Sequence, residues 1–263
     1  MVFNYKIQFI RKLLKTLPNF AGRNNTGQIV NRHRGGGVFK RYRRIDFKRV
    51  FLNIPFVILR TEYDPYRNAN ILLIFYLNGY FSYILSPFFK ARLYENFFIN
   101  SFFSEIKIGN SLALRNIPVG TLIYNIELYP GQGGVLGRSA GTFGQILFKN
   151  FNDTPYVLIR LKSSEEYLIN ENCFASIGVV SNLNYNSIIW RKAGKSRYLN
   201  RRPHVRGVAM NPVDHPHGGG EGKTSGGRPS VSYTGKLTKG LPTRKKNKVN
   251  NKIYKSRKYL KKK

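Results

Sequence analysis

Acidic residues are scarce in this chain. Against 45 Lys and Arg there are 12 Asp and Glu in 263 residues, a formal net charge of +33. Such an imbalance selects for polyanionic partners. Cysteine is almost missing: Cys173 stands alone, which excludes an internal disulfide framework and a Cys-based zinc site. It reads as a small, half-buried apolar residue, and it permits a reducing compartment without demanding one. Long apolar runs are lacking as well. The longest, Ile71 to Leu85, is broken by Asn78-Gly79 and is too short to span a bilayer. Asn-Gly between two strand-like runs predicts a hairpin there.

What is present is unevenly placed. Residues 1–44 carry eleven basic residues and no acidic one, residues 45–190 carry twelve and ten, and residues 191–263 carry twenty-two and two. A near-neutral middle between two basic arms predicts a folded body with nucleic-acid-binding extensions. The arms have too little apolar surface to offset chain entropy and are expected to gain order against a partner that neutralises them. Before residue 20, Phe3, Ile7, Ile10, Leu14 and Leu17 recur at helical spacing among Lys6, Arg11, Lys12 and Lys15. That pattern fits either an organelle transit sequence or an amphipathic helix lying on RNA or on the body.

The middle reads as β throughout. Strands are predicted at Ile54–Arg60, Ile71–Leu77, Tyr80–Leu85, Thr121–Leu128, Phe143–Lys149, Tyr156–Lys162 and Phe174–Val180. They are short, rich in Ile, Val, Phe and Tyr, and punctuated by turn residues such as Asp64-Pro65 and Pro130-Gly131. Short strands at this spacing predict two small barrels in tandem, with a break at Asn116-Ile117-Pro118-Val119-Gly120.

Three enzyme-like patterns fail on context. Gly137-Arg138-Ser139-Ala140-Gly141 matches a nucleophile elbow, but a Gly-rich loop precedes Ser139 and a β-like run follows, where the elbow needs strand then helix. Gly218 to Thr224 resembles a phosphate-binding loop, yet its first glycine position holds His217 and no apolar strand leads in. His215 and His217 lack a nearby third ligand, which is a weak metal signal; stacking and hydrogen bonding to nucleotides in a Pro-fixed turn is the favoured reading.

The basic arms instead mix guanidinium groups, glycines and aromatics. Arg32-His33-Arg34-Gly35-Gly36-Gly37 and Lys40-Arg41-Tyr42-Arg43-Arg44 combine phosphate-directed charge with close backbone approach and a stacking ring. Arg191-Lys192-Ala193-Gly194-Lys195 and Arg201-Arg202-Pro203 continue the pattern. No helix-turn-helix, zinc finger or basic zipper is visible, and extended Gly/Pro-rich arms suit the irregular clefts of folded RNA.

These residues resemble the universal large-subunit ribosomal protein two family, in its mitochondrial, bacterial-type form. The likeness runs through Gly22-Arg23-Asn24-Asn25, the segments 32–37 and 42–49, Glu62-Tyr63-Asp64-Pro65, Arg115 to Gly120, Pro130 to Gly134, Arg138 to Thr142, and Gly207 to Gly222. It covers roughly residues 20–245. The resemblance implies an oligonucleotide-binding-type barrel over 45–115, a Src-homology-three-like barrel over 116–190, a basic N-terminal extension over 1–44 and an rRNA-penetrating tail over 191–263. It implies large-subunit rRNA and neighbouring ribosomal proteins as partners. A small-subunit rRNA contact between subunits is left open, with no membrane and one copy per ribosome. No cofactor is expected beyond structural Mg2+ shared with rRNA.

The resemblance also places Asp214, His215 and His217 in support of an RNA peptidyl transferase centre, with Asp214 orienting His215, and assigns no catalytic residue to the protein. The residues expected on rRNA are Arg23, Asn24, Asn25, Arg32, His33, Arg34, Gly35, Gly36 and Gly37 in the first arm. Arg41, Tyr42, Arg43, Arg44 and Arg138 follow. The second arm offers Arg191, Lys192, Lys195, Arg201, Arg202, Arg206, Gly218, Gly219, Gly220, Lys223, Arg228, Lys236 and Lys239. Three departures stand out: the family usually has a longer segment before the first Gly-Arg-Asn, Tyr233-Thr234-Gly235 replaces a Pro-Trp-Gly element, removing one stacking aromatic and moving another, and Arg92 to Phe103 is unusually rich in Phe and Asn. AT-rich drift in the body points to a mitochondrial ribosome, with another organellar or bacterial-type ribosome as the alternative. If the gene is organellar, residues 1–20 are not a transit peptide.

Overall fold

The computed structural model describes residues 11–88, 97–98, 105–150, 153–222, 224–240 and 252–256. The chain divides into two compact units. One comprises Met1–Leu17, Lys40–Ile189 and Lys248–Lys263, and the other Pro18–Phe39 and Trp190–Asn247.

The first unit is the β body. Strands β1 (Leu14–Thr16) and β2 (Arg41–Arg43) pair antiparallel. Strands β3 (Phe56–Glu62), β4 (Ile71–Tyr76), β5 (Phe81–Leu85) and β6 (Phe97–Phe98) make an antiparallel sheet in the order β5-β4-β3-β6. Strand β4, Ile-Leu-Leu-Ile-Phe-Tyr, is apolar at every position because both its faces are covered. Leu72, Ile74 and Tyr76 pack with Phe56, Ile58 and Ile84 on one face, while Ile71 and Leu73 pack with Tyr83 on the other. That is the two-residue period of a strand expressed as two cores. The Asn78-Gly79 hairpin joins β4 to β5 as expected. Gly79, at φ 89°, donates to the Tyr76 carbonyl at 2.9 Å, in a left-handed conformation that costs glycine nothing.

A second sheet holds β7 (Ser111–Ala113), β8 (Leu122–Tyr124), β11 (Gly144–Phe148), β12 (Tyr156–Leu161), β13 (Glu166–Asn170), β14 (Phe174–Ile177) and β15 (Ile253–Lys255), in the order β15-β13-β12-β11-β8-β14-β7. Strands β9 (Ile126–Glu127) and β10 (Gly134–Leu136) form a separate pair. Leu112, Ile123, Ile146, Val157, Ile159, Ile169 and Ala175 fill its core. The fold is therefore mainly β, built of small antiparallel sheets as tandem small barrels require. Ala69, Leu85, Tyr124 and Val180 join the two sheets of this unit in a shared cluster, and Ser181 N–H donates to the Ser86 carbonyl at 2.9 Å.

Four expectations need correction. Arg11 and Lys12 are helical, but Leu14 lies on β1, so the helical spacing does not persist to Leu17; Phe3, Ile7 and Ile10 fall outside the described residues. Pairing of Leu14–Thr16 with β2 takes these residues out of the 3.6-residue pattern. The run Thr121–Leu128 is two strands, because Asn125 adopts φ 51° and turns the chain. Strand β7 pairs with β14, so the second sheet begins before the break read at Asn116. Finally, Ile253–Lys255, inside the supposed tail, adds to the edge of β13. The Arg92 to Phe103 stretch lies outside the described residues apart from β6, which pairs with β3.

Candidate nucleic-acid interface

On the body, β2 sets Arg41, Tyr42 and Arg43 in alternation, and Arg44 N–H donates to Leu13 O at 2.9 Å. Tyr42 meets Tyr66 edge-on at 5.5 Å. Nearby, Arg138 lies over the Phe47 ring at 4.5 Å and Arg67 over the same ring at 5.6 Å. Arg67 Nε also donates to Asp64 Oδ2 at 2.6 Å, and Asp64 is fully buried. Two guanidinium groups on one phenyl ring repel each other; the buried carboxylate offsets one charge and fixes that head. A cavity of about 380 Å³ opens here, lined by Tyr42, Phe47, Tyr66, Arg67, Arg138 and Ser139. Cations and ring faces together suit a nucleotide rather than an apolar ligand. Ser139 occupies a turn between β10 and β11 with no helix leaving it, so the elbow match carries no nucleophile geometry.

The second unit brings the two arms together. Segment 33–37 runs antiparallel to segment 200–204: Gly35 N–H donates to Asn200 O at 2.9 Å, Arg202 N–H donates to His33 O at 3.0 Å, and Arg34 bridges Arg201. His33 Nδ1 lies 3.0 Å from Pro203 O, and its ring is 4.4 Å from that of His204. Gly36 O accepts from Asn19 Nδ2. Gly37 sits at φ 58°, and a Cβ there would fall 1.5 Å from Asn200 Oδ1, so the close approach requires glycine. Asn24 turns inward: its Oδ1 accepts from Thr26 N, Thr26 Oγ1 and Gln28 N at 2.7–3.0 Å. It shapes the loop that presents Arg23 and Asn25.

The histidine segment is a compact turn. Asn211 O accepts from Asp214 N at 3.0 Å and from His215 N at 3.2 Å; Gly218 N–H donates to His215 O at 2.8 Å, and Gly219 N–H to Met210 O at 3.0 Å. Gly220 follows at the exposed end. His217 N–H donates to His215 Nδ1 at 3.0 Å, so a neutral His215 carries its proton on Nε2. Val231 N–H donates to His217 Nε2 at 3.0 Å, leaving Nδ1–H to donate to Gly226 O at 3.2 Å. His217 is thus a clasp with both nitrogens engaged. The two rings stack at 5.2 Å and 25°. Gly207 seals the back of His215, since a Cβ there would lie 2.5 Å from the ring. Among the described residues no side-chain hydrogen bond joins Asp214 to either ring, and the His217 amide rather than Asp214 orients His215.

The remaining cations are spread along exposed backbone. Lys192 lies 5.9 Å over Tyr198 beside the short helix Gly194–Tyr198, which also carries Lys195. Arg191, Arg201, Arg202, Arg206 and Arg228 are exposed, while Lys223 lies outside the described residues. Lys236 lies within, and Lys239 just after, a hairpin in which Val231 bridges Leu237, and Arg32 lies 5.0 Å over Tyr233 at its tip. Sequence reasoning left Tyr66, Arg67 and Tyr233 out of the contact set. An aromatic beside arginine after Asp64-Pro65 was the signal for the first two. Tyr233 stood out only as a shifted aromatic in place of a Pro-Trp-Gly element; its pairing with Arg32, two hundred residues away, gave no signal.

Comparisons with known proteins add the following likenesses. A family model described as Ribosomal Proteins L2, RNA binding N-terminal domain, matches residues 10–91. A second, Ribosomal Proteins L2, C-terminal domain, matches residues 107–235. The chain is 52% identical over 241 residues to the large ribosomal subunit protein uL2m of Reclinomonas americana, covering 92% of this chain and 86% of that one. It is 47% identical over 259 residues to the large ribosomal subunit protein uL2 of Parvibaculum lavamentivorans, covering 98% and 91%. The uL2 of Rhodospirillum rubrum gives the same identity and coverage.

Proposed function

Because the chain belongs to the ribosomal protein L2 family, structural proteins of the large ribosomal subunit with an RNA-binding domain, we propose that it serves a mitochondrial large subunit. There it holds large-subunit rRNA near the peptidyl transferase centre and supports subunit association. The likeness to uL2m of Reclinomonas americana supports the mitochondrial reading. One observation carries the RNA reading: the unit made by the two arms holds 17 basic and two acidic residues, a net +15, and among its described residues Val231 alone is buried. Such a unit has almost no core, so its charge and its exposed backbone call for a polyanion.

In this role Arg32, Arg34, Arg201 and Arg202 meet phosphates, and the cavity beneath Arg67 and Arg138 takes an unstacked nucleotide. The 211–222 turn presents His215 Nε2–H from a rigid frame. His215 supports the centre structurally and the chemistry belongs to RNA. Sedimentation tests the whole reading: the chain should travel with the large subunit in gradients at moderate salt, and its absence there would overturn it. His215→Gln is expected to leave the β body folded while impairing large-subunit assembly or peptide-bond formation on purified subunits.

A further inference from the structure

The hairpin of residues 231–237 carries Tyr233, an aromatic to which the proposed function assigns no ligand. Its tip is Tyr233-Thr234-Gly235, closed by Gly235 N–H to Ser232 O at 2.9 Å and Ser232 N–H to Lys236 O at 2.8 Å, with Gly235 at φ 78°. Its base is fixed twice over: Val231 is buried, and its N–H is held by His217 Nε2 at 3.0 Å. Thr238 N–H adds a bond to Ser230 O at 2.9 Å. The Tyr233 ring is therefore rigidly placed, yet 58% exposed. Arg32 lies over it at 5.0 Å, and among the described residues no second ring or cation lies over it.

An exposed aromatic on a stiff support, with a cation on one face, is costly to leave in water and is pre-organised for stacking. Arg32 draws electron density from the covered face and offers donors to a phosphate, and Lys236 adds charge at the rim. We propose that Tyr233 is a stacking platform for one unpaired nucleobase of rRNA, clamped with Arg32 and held in place by the His217 clasp. A base fits better than an apolar protein side chain because the surrounding unit is net +15 and a nucleotide brings a phosphate with its ring. The proposal rests on the rRNA-binding reading above and deepens it by naming the ligand at this hairpin. The clasp also gives His217 a task separate from that of His215: it positions the platform.

The test is base-specific chemical probing of rRNA in large subunits carrying the full-length protein as wild type, Tyr233→Phe, Tyr233→Ala and Tyr233→Leu. The Phe variant should keep one nucleotide protected, because the ring face suffices. The Ala and Leu variants should expose that nucleotide about tenfold, the order of magnitude of one lost base–aromatic stack. The Leu variant keeps apolar bulk, so it decides the matter if the Ala variant fails to enter subunits. Unchanged reactivity in Leu or Ala subunits at full occupancy would overturn the platform, as would loss of protection in the Phe variant. Absence of the wild-type chain from large subunits would instead bring down the ribosomal reading itself, so the two failures are told apart.

Discussion

Replacing His217 by Ala removes both halves of a clasp, and it leaves the Val231 amide buried without an acceptor. An orphaned buried donor costs about 1–3 kcal/mol, so exchange of the Val231 amide should speed up roughly tenfold or more, while amides of β3 and β4 stay as they were. Hydrogen exchange read by mass spectrometry or NMR checks this. Cys173 makes a second residue-scale prediction. Burial, with the Glu127 carboxylate nearby, pushes its thiol up to about 12 from an ordinary 9.0. The folded thiol should resist alkylation at mildly alkaline pH and react fully once denatured. The sign follows from linkage: the folded form holds the proton more tightly, so its contribution to stability is complete below pH 9 and is lost as pH rises toward 12. The sequence showed the thiol as solitary and apolar in character. It could not show that two histidines one residue apart would play different parts, since that depends on which amides reach their nitrogens.

At the scale of elements, β15 is the instructive case. Ile253 pairs with Tyr167 and Lys255 with Glu166, and Ile253 packs against the larger core. Ile253→Asp should release this strand at a cost of about 1 kcal/mol or more, seen as faster exchange of β13 amides with no change in the β3–β5 sheet. Three apolar-to-basic residues in a lysine-rich tail gave no strand signal, because their order comes from an open sheet edge supplied elsewhere in the chain. The Asn78-Gly79 hairpin was legible for the opposite reason: its turn chemistry is local. The run Thr121–Leu128 was legible as β but not as two strands, since the bend at Asn125 is held by tertiary bonds, its N–H to Gly137 O at 3.0 Å and its Nδ2 to Phe47 O at 3.2 Å.

At the scale of the whole molecule, charge sets the binding law. Affinity for an rRNA fragment should fall linearly in log–log terms with salt. Each of Arg34→Gln, Arg201→Gln and Arg202→Gln should flatten that slope by about 0.7 to 0.9 if it removes one phosphate contact. Filter binding across a salt series gives the slope directly. A mutant that weakens binding while leaving the slope unchanged would show that its arginine orders the unit rather than touching phosphate.

The amino-acid sequence by itself determined the β character of the body, the division of charge and the family, because strand propensity, turn residues and basic runs are local properties. The tertiary structure alone decided which distant segments share a surface: residues 33–37 beside 200–204, Arg32 over Tyr233, Arg67 and Arg138 on one phenyl ring. The first rests on backbone bonds and the other two on guanidinium–ring contacts between segments far apart in the chain, and no window of sequence contains both partners.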